Sequence, residues 1–188
     1  SNFKAIRTGH KAKFDFKAAI AEKRELVAAL RGQNYANVLD NLKGVSLIEG
    51  RGKFVGPNSV EVNGERHTAD RIVIATGSST RLLPIPGLAD SGFLTNETAM
   101  ELEALPQSMI VLGGGPLGLE FAQMFSHFGT KVTVLEAMDR ILPREEPEIS
   151  AELRRVLEAE GIEFKVGITI DRIADNDGVK SVTIRSGK

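Results

Sequence analysis

Three glycines of this 188-residue chain have the spacing of a loop that binds a dinucleotide. Gly113, Gly115 and Gly118 form a G-x-G-x-x-G pattern between an apolar run and a segment of helical periodicity. The first glycine permits a tight turn, the second a close approach of backbone to a pyrophosphate, and the third close packing of helix on strand. The helix N-terminus attracts the phosphates with its N–H groups and dipole. A glycine-rich packing turn is the alternative interpretation.

An acidic residue follows these glycines at the distance that the ribose of an adenosine requires. Glu136 ends the next apolar run, 18 residues after Gly118 and 23 after Gly113. A carboxylate there accepts hydrogen bonds from ribose hydroxyls and repels a 2′-phosphate, so NAD is favoured over NADP. Arg140 either offsets this repulsion or pairs with Asp139 or Glu136.

The elements that must position these residues follow from hydrophobic periodicity. The second half of the chain alternates between predicted strands, at 109–112, 132–135, 163–166, 168–173 and 179–184, and predicted helices, at 116–128 and 147–160. The strands at 109–112 and 132–135 are expected to be buried. The helices are expected to bury the apolar residues Leu117, Phe121, Phe125, Phe128, Ile149, Leu153, Val156 and Leu157. A turn is predicted at Asn176-Asp177-Gly178 because such residues favour left-handed backbone.

The first half of the chain shows a similar order of elements, so the sequence contains an internal repeat. The predicted elements are helices at 16–31 and 35–42, strands at 45–48, 54–55 and 60–62, a hairpin turn at Asn63-Gly64, and a strand at 71–75 buried on both faces. A connector at 81–92 precedes a short helix that begins near Asn96, with Thr95 or Asn96 as its cap. Each copy lacks a part that the other has, so we expect the chain to be a slice of a longer protein.

A second stretch with chemical potential is Ala75-Thr76-Gly77-Ser78, which follows the apolar run 71–75. Leu83-Pro84-Ile85-Pro86-Gly87 comes next, and 25 residues separate Gly87 from Gly113. This order of A-T-G, L-P-I-P-G and G-G-G-x-x-G-x-E resembles that of the flavoprotein pyridine nucleotide–disulfide oxidoreductases. The likeness extends from about Phe16 onward. The sequence is similar to mercuric reductase-like members at 29–54 and to dihydrolipoamide dehydrogenase-like members at 134–143.

The resemblance implies two cofactors, NAD and FAD. The residues expected to hold NAD are Gly113, Gly114, Gly115, Pro116, Leu117, Gly118, Glu120, Glu136 and Ile170. The residues expected against FAD are Gly52, Ala75, Thr76, Gly77 and Ser78. By the same resemblance Ile170 packs on the adenine of NAD and Glu120 helps to position the nicotinamide through a lysine outside this chain. Relatives carry Tyr or Val at the position of Pro116.

The resemblance also implies a reaction, in which hydride passes between NADH and FAD and the electrons then pass to a disulfide or to a metal ion of the Hg(II) type. Dihydrolipoamide dehydrogenase runs this reaction in reverse, from a dithiol. The chain contains no cysteine, so no catalytic residue is assigned and the redox cysteines are expected outside it. The whole protein is expected to act on a small molecule and to form a homodimer through a further domain. The alternatives are an NADH oxidase or ferredoxin reductase relative, a stand-alone NAD-binding module, and a purely structural piece.

Composition excludes several other classes of function. The charges of the 24 basic and 25 acidic residues nearly cancel, which argues against a nucleic-acid partner. No apolar run reaches the length of a membrane span, so neither a membrane partner nor a secretory leader is predicted, and we expect a cytoplasmic protein. No metal site is predicted. The three histidines, His10, His67 and His127, are scattered along the sequence. The hairpin turn Asp175–Gly178 is similar to the middle of a calcium loop, but Ile173 and Ile184 stand at its first and last ligand positions and cannot coordinate an ion.

The predicted fold class is α/β, with Rossmann-like three-layer nucleotide-binding units that carry β-meander insertions. Residues 1–105 are predicted to form a partial FAD-binding domain that lacks its first βαβ unit. Residues 106–188 are predicted to form an NAD(P)-binding Rossmann-like domain that lacks its last strand.

Overall fold

The computed structural model of the chain describes residues 15–186, apart from the side chains at 35, 36, 39 and 40. Its helices are α1 (Phe16–Arg31), α2 (Asn37–Asn41), α3 (Asn96–Ala99), α4 (Pro116–His127) and α5 (Pro147–Ala159). A π-helical turn, Gly32–Ala36, joins α1 to α2. Its strands are β1 (Lys53–Gly56), β2 (Ser59–Val62), β3 (Glu65–Thr68), β4 (Ser108–Leu112), β5 (Lys131–Leu135), β6 (Glu163–Lys165), β7 (Ile168–Asn176) and β8 (Val179–Ser186). The predicted α/β class is therefore confirmed. His10 lies outside the described residues.

A parallel sheet with the strand order β4-β5-β6 forms the centre of the second half. Its register places Val111 beside Val134 and Val134 beside Phe164, so these three side chains share one face. Val134 is fully buried there. Parallel neighbours need crossover connections, and the sequence supplies them as α4 between β4 and β5 and α5 between β5 and β6.

Aromatic rings fill the core beside this sheet. Phe125 of α4 is fully buried, and its ring centroid lies 6.3 Å from that of Phe16 and 6.4 Å from that of Phe128. Phe16 and Ile20 belong to the first turns of α1, which begins where Asp15 Oδ1 accepts the N–H of Ala18 at 3.0 Å. Burial of one such ring contributes about 1.5–3 kcal/mol. The start of α1 is thus part of the core that supports β4 and β5.

The described residues divide into two compact units. One contains residues 15–20 and 80–186, and the other contains residues 21–79. The division at residue 105 that the sequence suggested stays a prediction.

Each half of the chain carries an antiparallel insertion with a tight turn. β1, β2 and β3 form one three-stranded sheet, and β7 and β8 pair as a two-stranded sheet. The turns lie at Asn63-Gly64, with φ of 52° and 85°, and at Asp177-Gly178, with φ of 52° and 88°. Positive φ at both central residues identifies turns that match the right-handed twist of the flanking strands. Both predicted hairpins are confirmed.

Two predicted strands do not form. Residues 45–48 and 71–75 lie outside regular structure, and Val73 is 89% exposed. A strand needs neighbouring backbone for its N–H and C=O groups, and no strand among residues 15–186 pairs with either segment. The apolar composition is that of a buried strand, but composition alone does not supply the neighbour.

Three further expectations about burial are wrong. Leu117 and Ile149 are exposed, because Leu119 and Ser150 take the inward positions on α4 and α5. Ile110 is 41% exposed, since it lies beside Thr133 on the face of the sheet opposite to Val134. The apolar run of β4 predicts that both faces of the strand are buried. In residues 15–186 the face that carries Val134 is well covered, and the opposite face is not.

Candidate functional site

The glycine loop, residues 113–115, connects the carboxyl end of β4 to α4. Gly113 has φ +104°, a left-handed conformation that an L side chain rarely adopts. Its N–H donates to the carbonyl oxygen of Leu135 at 2.8 Å, which extends the pairing of β4 with β5 by one residue. The chain therefore turns sharply at Gly113 and enters the helix immediately beyond Gly115.

The glycines of the loop differ in what surrounds them. A Cβ atom at Gly118 would overlap the carbonyl oxygen of Gly113, so this glycine permits the close contact of helix and loop. A Cβ at Gly115 would meet nothing within 4 Å. Gly118 therefore serves internal packing, whereas Gly115 borders open space, as expected where backbone must approach a phosphate.

The first turn of α4 has the features of an anion site. Gly115 is its N-cap in extended conformation, without a side-chain cap, and Pro116 has no N–H. The N–H of Leu119 is the first in the helix to bond to the cap residue, at 3.0 Å from Gly115 O. The N–H groups of Leu117 and Gly118 are thus the free donors of this turn. No acidic residue lies in the turn to oppose an anion.

The structure brings Glu136 to the glycine loop, as the spacing predicts. Its Oε2 accepts the N–H of Gly114 at 2.7 Å, and its Oε1 accepts the N–H of Met138 at 2.8 Å. Its own N–H donates to Lys165 O at 2.8 Å, so the backbone of Glu136 is fixed between β5 and β6. The carboxylate is half-buried. It therefore contacts Gly114, the residue before Gly115, and is held there by two backbone amides.

Sequence reasoning missed a segment that contacts the loop from the other side. The N–H of Leu142 donates to Gly114 O at 2.9 Å, and the fully buried Ile141 packs on Gly114. The hydroxyl of Ser150 on α5 donates to Ile141 O at 2.6 Å. An apolar pair and a serine have no spacing that marks such a role, so periodicity could not identify them.

Arg140 does not pair with Glu136. Its Nη2 donates to Pro143 O at 3.1 Å, and its Nη1 lies 3.7 Å from Asp139 Oδ1. Of the two carboxylates considered as partners of Arg140, the structure pairs it with Asp139. The carboxylate of Glu136 therefore receives backbone donors and no described guanidinium.

The remaining predicted NAD residues lie at varied positions. Pro116, Leu117 and Glu120 are exposed on the first turns of α4. Ile170 is half-buried in β7 beside a bulge that contains Asp171. Hydrogen bonds from Arg185 lower the pKa of Asp171. No hydrogen bond in residues 15–186 joins Ile170 to the glycine loop, so its contact with adenine stays a prediction.

The predicted FAD residues lie in or beside the loops of the unit formed by residues 21–79. Gly52 directly precedes β1 and is exposed. Ala75, Thr76, Gly77 and Ser78 are exposed and lie outside regular structure, with Gly77 at φ +67°. No hydrogen bond in the described part of the chain connects Gly52 to these four residues. Their assignment to FAD stays a prediction.

Two of the residues considered as metal ligands have protein partners. His127 Nε2 lies 3.0 Å from Glu160 Oε2. Asp175 accepts the N–H of Gly178 at 2.9 Å and pairs with Lys180, as a hairpin turn requires. Within residues 15–186 there is no group of three His, Cys, Asp or Glu residues that could hold a metal ion. In the same residues no helix is long and apolar enough to cross a membrane.

Comparison with known proteins identifies the family. Residues 4–188 match the family described as pyridine nucleotide-disulphide oxidoreductase. The mercuric reductase of Bacillus cereus is 36% identical over 170 residues, which cover 90% of this chain and 27% of that protein. A dihydrolipoyl dehydrogenase of Mycoplasma genitalium is 34% identical over 177 residues, 91% of this chain and 38% of that protein.

A solved structure shows the same architecture. It is a Cu(II) complex of the HOCl-induced flavoprotein disulfide reductase RclA of Escherichia coli, which superposes with a TM-score of 0.84 at 33% identity. The match covers 90% of this chain and 39% of the RclA chain. This chain thus spans well under half the length of these relatives. The predicted resemblance is confirmed: the chain belongs to the pyridine nucleotide-disulphide oxidoreductase family, whose members depend on FAD and a pyridine nucleotide.

Proposed function

We propose that the chain binds NAD at the glycine loop and forms the nucleotide-binding part of an FAD-dependent oxidoreductase. The observation that carries the proposal is the open space at Gly115, next to the free donors of α4 and the carboxylate of Glu136. Other glycines of the chain also border open space, so the combination of that space with the free donors and the carboxylate is what favours a ligand here. The surroundings of Gly115 therefore fit a ligand better than they fit internal packing.

The loop supplies the contacts that a dinucleotide pyrophosphate requires. The N–H groups of Leu117 and Gly118 and the positive end of the α4 dipole are directed to the space beside Gly115. The chain's own contribution is to bind and orient the nucleotide. A pyrophosphate in that space accepts hydrogen bonds without displacing any side chain, because Gly115 has none.

Glu136 supports a preference for NADH over NADPH. A carboxylate oxygen with one backbone donor keeps a further acceptor position for ribose hydroxyls. A 2′-phosphate at this position would meet a negative charge. Arg140, for which relief of this repulsion was one of two alternatives, is bonded to Pro143 and lies beside Asp139.

We further propose that FAD contacts Gly52 and the segment Ala75–Ser78 in the whole protein. The support is the resemblance together with the likeness to RclA, a flavoprotein disulfide reductase. The positive φ of Gly77 fits a loop where backbone approaches a ligand. When bound, the two cofactors supply hydride transfer between nicotinamide and flavin.

The electron acceptor is proposed from the relatives, which are named mercuric reductase and dihydrolipoyl dehydrogenase. A disulfide or a metal ion of the Hg(II) type is the acceptor class that these names favour, and a dithiol is the electron donor where the reaction runs in reverse. Because this sequence has no cysteine, thiol chemistry requires residues outside it. We therefore expect the 188 residues to bind NADH without turnover.

Parallel titrations with NADH and with FAD test the proposal, with Gly115→Val as the decisive variant. The valine side chain fills the space proposed for the pyrophosphate, so NADH binding should be lost while the circular dichroism spectrum is retained. Gly32→Val is the matched control, because Gly32 also has nothing within 4 Å of its Cβ position and an ordinary φ. Unchanged NADH binding by Gly115→Val would exclude the loop as the site.

The FAD titration separates this proposal from a stand-alone NAD module. A chain that binds NADH and has no cysteine fits both the part of a flavoprotein and the stand-alone NAD module. Stoichiometric uptake of FAD that is lost on Gly77→Val favours the flavoprotein, since the substitution opposes the left-handed backbone at that position.

A further inference from the structure

The segment between β5 and α5 crosses the glycine loop and holds one of its peptide groups. We call Ile141 and Leu142 the strap. The N–H of Leu142 donates to the carbonyl oxygen of Gly114 at 2.9 Å. A Cβ at Gly114 would lie 2.9 Å from Ile141 Cγ2, so the fully buried Ile141 packs directly on this glycine. The strap thus fixes the carbonyl side of Gly114.

The opposite side of Gly114 is fixed by Glu136, whose Oε2 accepts the Gly114 N–H at 2.7 Å. Both polar groups of this loop residue therefore have protein partners. Gly115, the next residue, borders open space. The chain's own contacts therefore restrain the conformation of the loop at Gly114.

The strap adopts a backbone conformation that its sequence does not favour. Leu142 has φ +44°, and a branched side chain is rarely found in this left-handed region. Such strain persists only where surrounding contacts determine the conformation, and it is typical of functional sites. The contacts here are the bond to Gly114 and a bond from the Glu145 N–H to Leu142 O at 2.9 Å.

Ser150 anchors the strap to α5. Its side chain is 2% exposed, and its hydroxyl donates to Ile141 O at 2.6 Å. The backbone N–H of Ser150 bonds to Glu146 O at 3.1 Å, so only the hydroxyl is available to the strap. Without this hydroxyl the buried carbonyl of Ile141 loses that donor, a costly state inside a protein.

We infer that Ser150 is a positioning residue for nucleotide binding, which acts through the strap to hold Gly114 and the glycine loop in their phosphate-binding conformation before the nucleotide arrives. The inference rests on the proposed NAD site. A loop that is already ordered does not lose conformational entropy on binding, so the affinity for NADH is higher than that of a loop that must be ordered.

The test compares Ser150→Ala with the matched control Ser126→Ala. Both serines lie on a long helix and donate to a backbone carbonyl of another segment, Ser126 to Glu160 O at 3.3 Å. The dissociation constant of NADH is measured by titration of the full chain. Amide hydrogen exchange is measured without nucleotide at Gly114, Leu142 and the residues of β5.

We expect Ser150→Ala to weaken NADH binding about tenfold and Ser126→Ala less than about twofold, as one unpaired buried carbonyl near the loop predicts. Exchange at Gly114 and Leu142 should accelerate in Ser150→Ala while exchange in β5 stays unchanged. Equal acceleration in loop and β5 with unchanged NADH affinity would reduce Ser150 to a packing role. If the unaltered chain does not bind NADH, the proposed function fails and the inference that rests on it fails too, whereas NADH binding that Ser150→Ala leaves unchanged overturns the inference alone.

A pair of variants at Leu142 decides the matter if Ser150→Ala does not fold. Leu142→Gly keeps the N–H and accepts φ +44°, whereas Leu142→Val opposes that φ. We expect Leu142→Gly to retain the NADH affinity of the unaltered chain. We expect Leu142→Val to bind NADH about tenfold more weakly, because it loses one contact that orders the loop. Equal affinities of the two variants would contradict the inference.

Discussion

The carboxylate of Glu136 accepts the backbone N–H of Gly114 at 2.7 Å, although 22 positions separate the two residues in the chain. The bond connects the end of β5 to the loop that follows β4. Because β4 and β5 are parallel neighbours, their carboxyl ends meet at one edge of the sheet. The residue proposed to contact ribose thus also contacts the loop proposed to contact phosphate.

Substitution of Glu136 should change the preference between the two nicotinamide cofactors. Glu136→Arg replaces a charge that repels a 2′-phosphate by one that attracts it. We expect the ratio of NADPH to NADH affinity to rise at least about tenfold, with some loss for both because the bond to Gly114 is removed. Titration with the two cofactors measures the ratio, and Glu103→Arg, an exposed site with the same charge change, is the control. An unchanged ratio would refute the role of the carboxylate.

Two glycines of the motif should respond in opposite ways. Gly118→Ala places a methyl group against the backbone carbonyl of Gly113, which cannot move away freely, and should cost about 1–3 kcal/mol of unfolding free energy. Gly115→Ser adds a side chain in open space at an N-cap and should leave that free energy unchanged or raise it, because serine is a good N-cap.

NADH affinity completes this comparison. Gly115→Ser should weaken binding, since its side chain enters the space proposed for the pyrophosphate. Urea unfolding and NADH titration of both variants provide the measurements. If Gly115→Ser lowered the free energy of unfolding and left NADH affinity unchanged, Gly115 would serve packing and not the nucleotide, contrary to the assignment.

Stability should depend on pH through a cluster that joins α4 to the end of α5. Glu160 Oε2 accepts Gln123 Nε2 at 2.8 Å and lies 3.0 Å from His127 Nε2. The bond from Gln123, with a smaller contribution from His127, holds the pKa of Glu160 below its usual value. A carboxyl group whose pKa is lower in the folded state stabilises the fold above its unfolded pKa, and this contribution is lost as pH falls through the folded pKa.

Removal of the Gln123 amide tests this dependence. Gln123→Ala should lower the free energy of unfolding by less than about 1 kcal/mol at pH 7, because the cluster is exposed to solvent, and by less still near pH 3. Urea unfolding at several pH values measures the difference between variant and unaltered chain. A difference that grows as pH falls would contradict the assignment.

The sequence predicted the elements whose stability is local and failed where a distant neighbour decides. The helix over Phe16–Arg31, the turn at Asn63-Gly64 and the motif at Gly113–Gly118 carry their own signals of periodicity, left-handed residues and spacing. The apolar run 71–75 carries the composition of a buried strand, but strand formation depends on neighbours that residues 15–186 do not supply.

The site was predictable to the same extent. Glu136 was found because carboxylate and glycines have a fixed separation set by the strand and helix between them. Ser150 and Leu142 act through one hydroxyl and one backbone N–H. Neither group leaves a mark in the amino-acid pattern, because any residue has a backbone N–H and many buried serines bond to nearby carbonyls.

The connector at 81–92 is bound to β7. Ile173 N–H donates to Pro86 O at 2.9 Å, and a Cβ at Gly87 would overlap Ile173 O. Gly87 and Gly92 both have positive φ, but only Gly87 has backbone next to it. Gly92→Ala should therefore cost only the strain of left-handed backbone, about 1–2 kcal/mol, whereas Gly87→Ala adds a steric cost and should lose about 2–5 kcal/mol. Equal losses in urea unfolding would show that the connector is not held against β7 in solution.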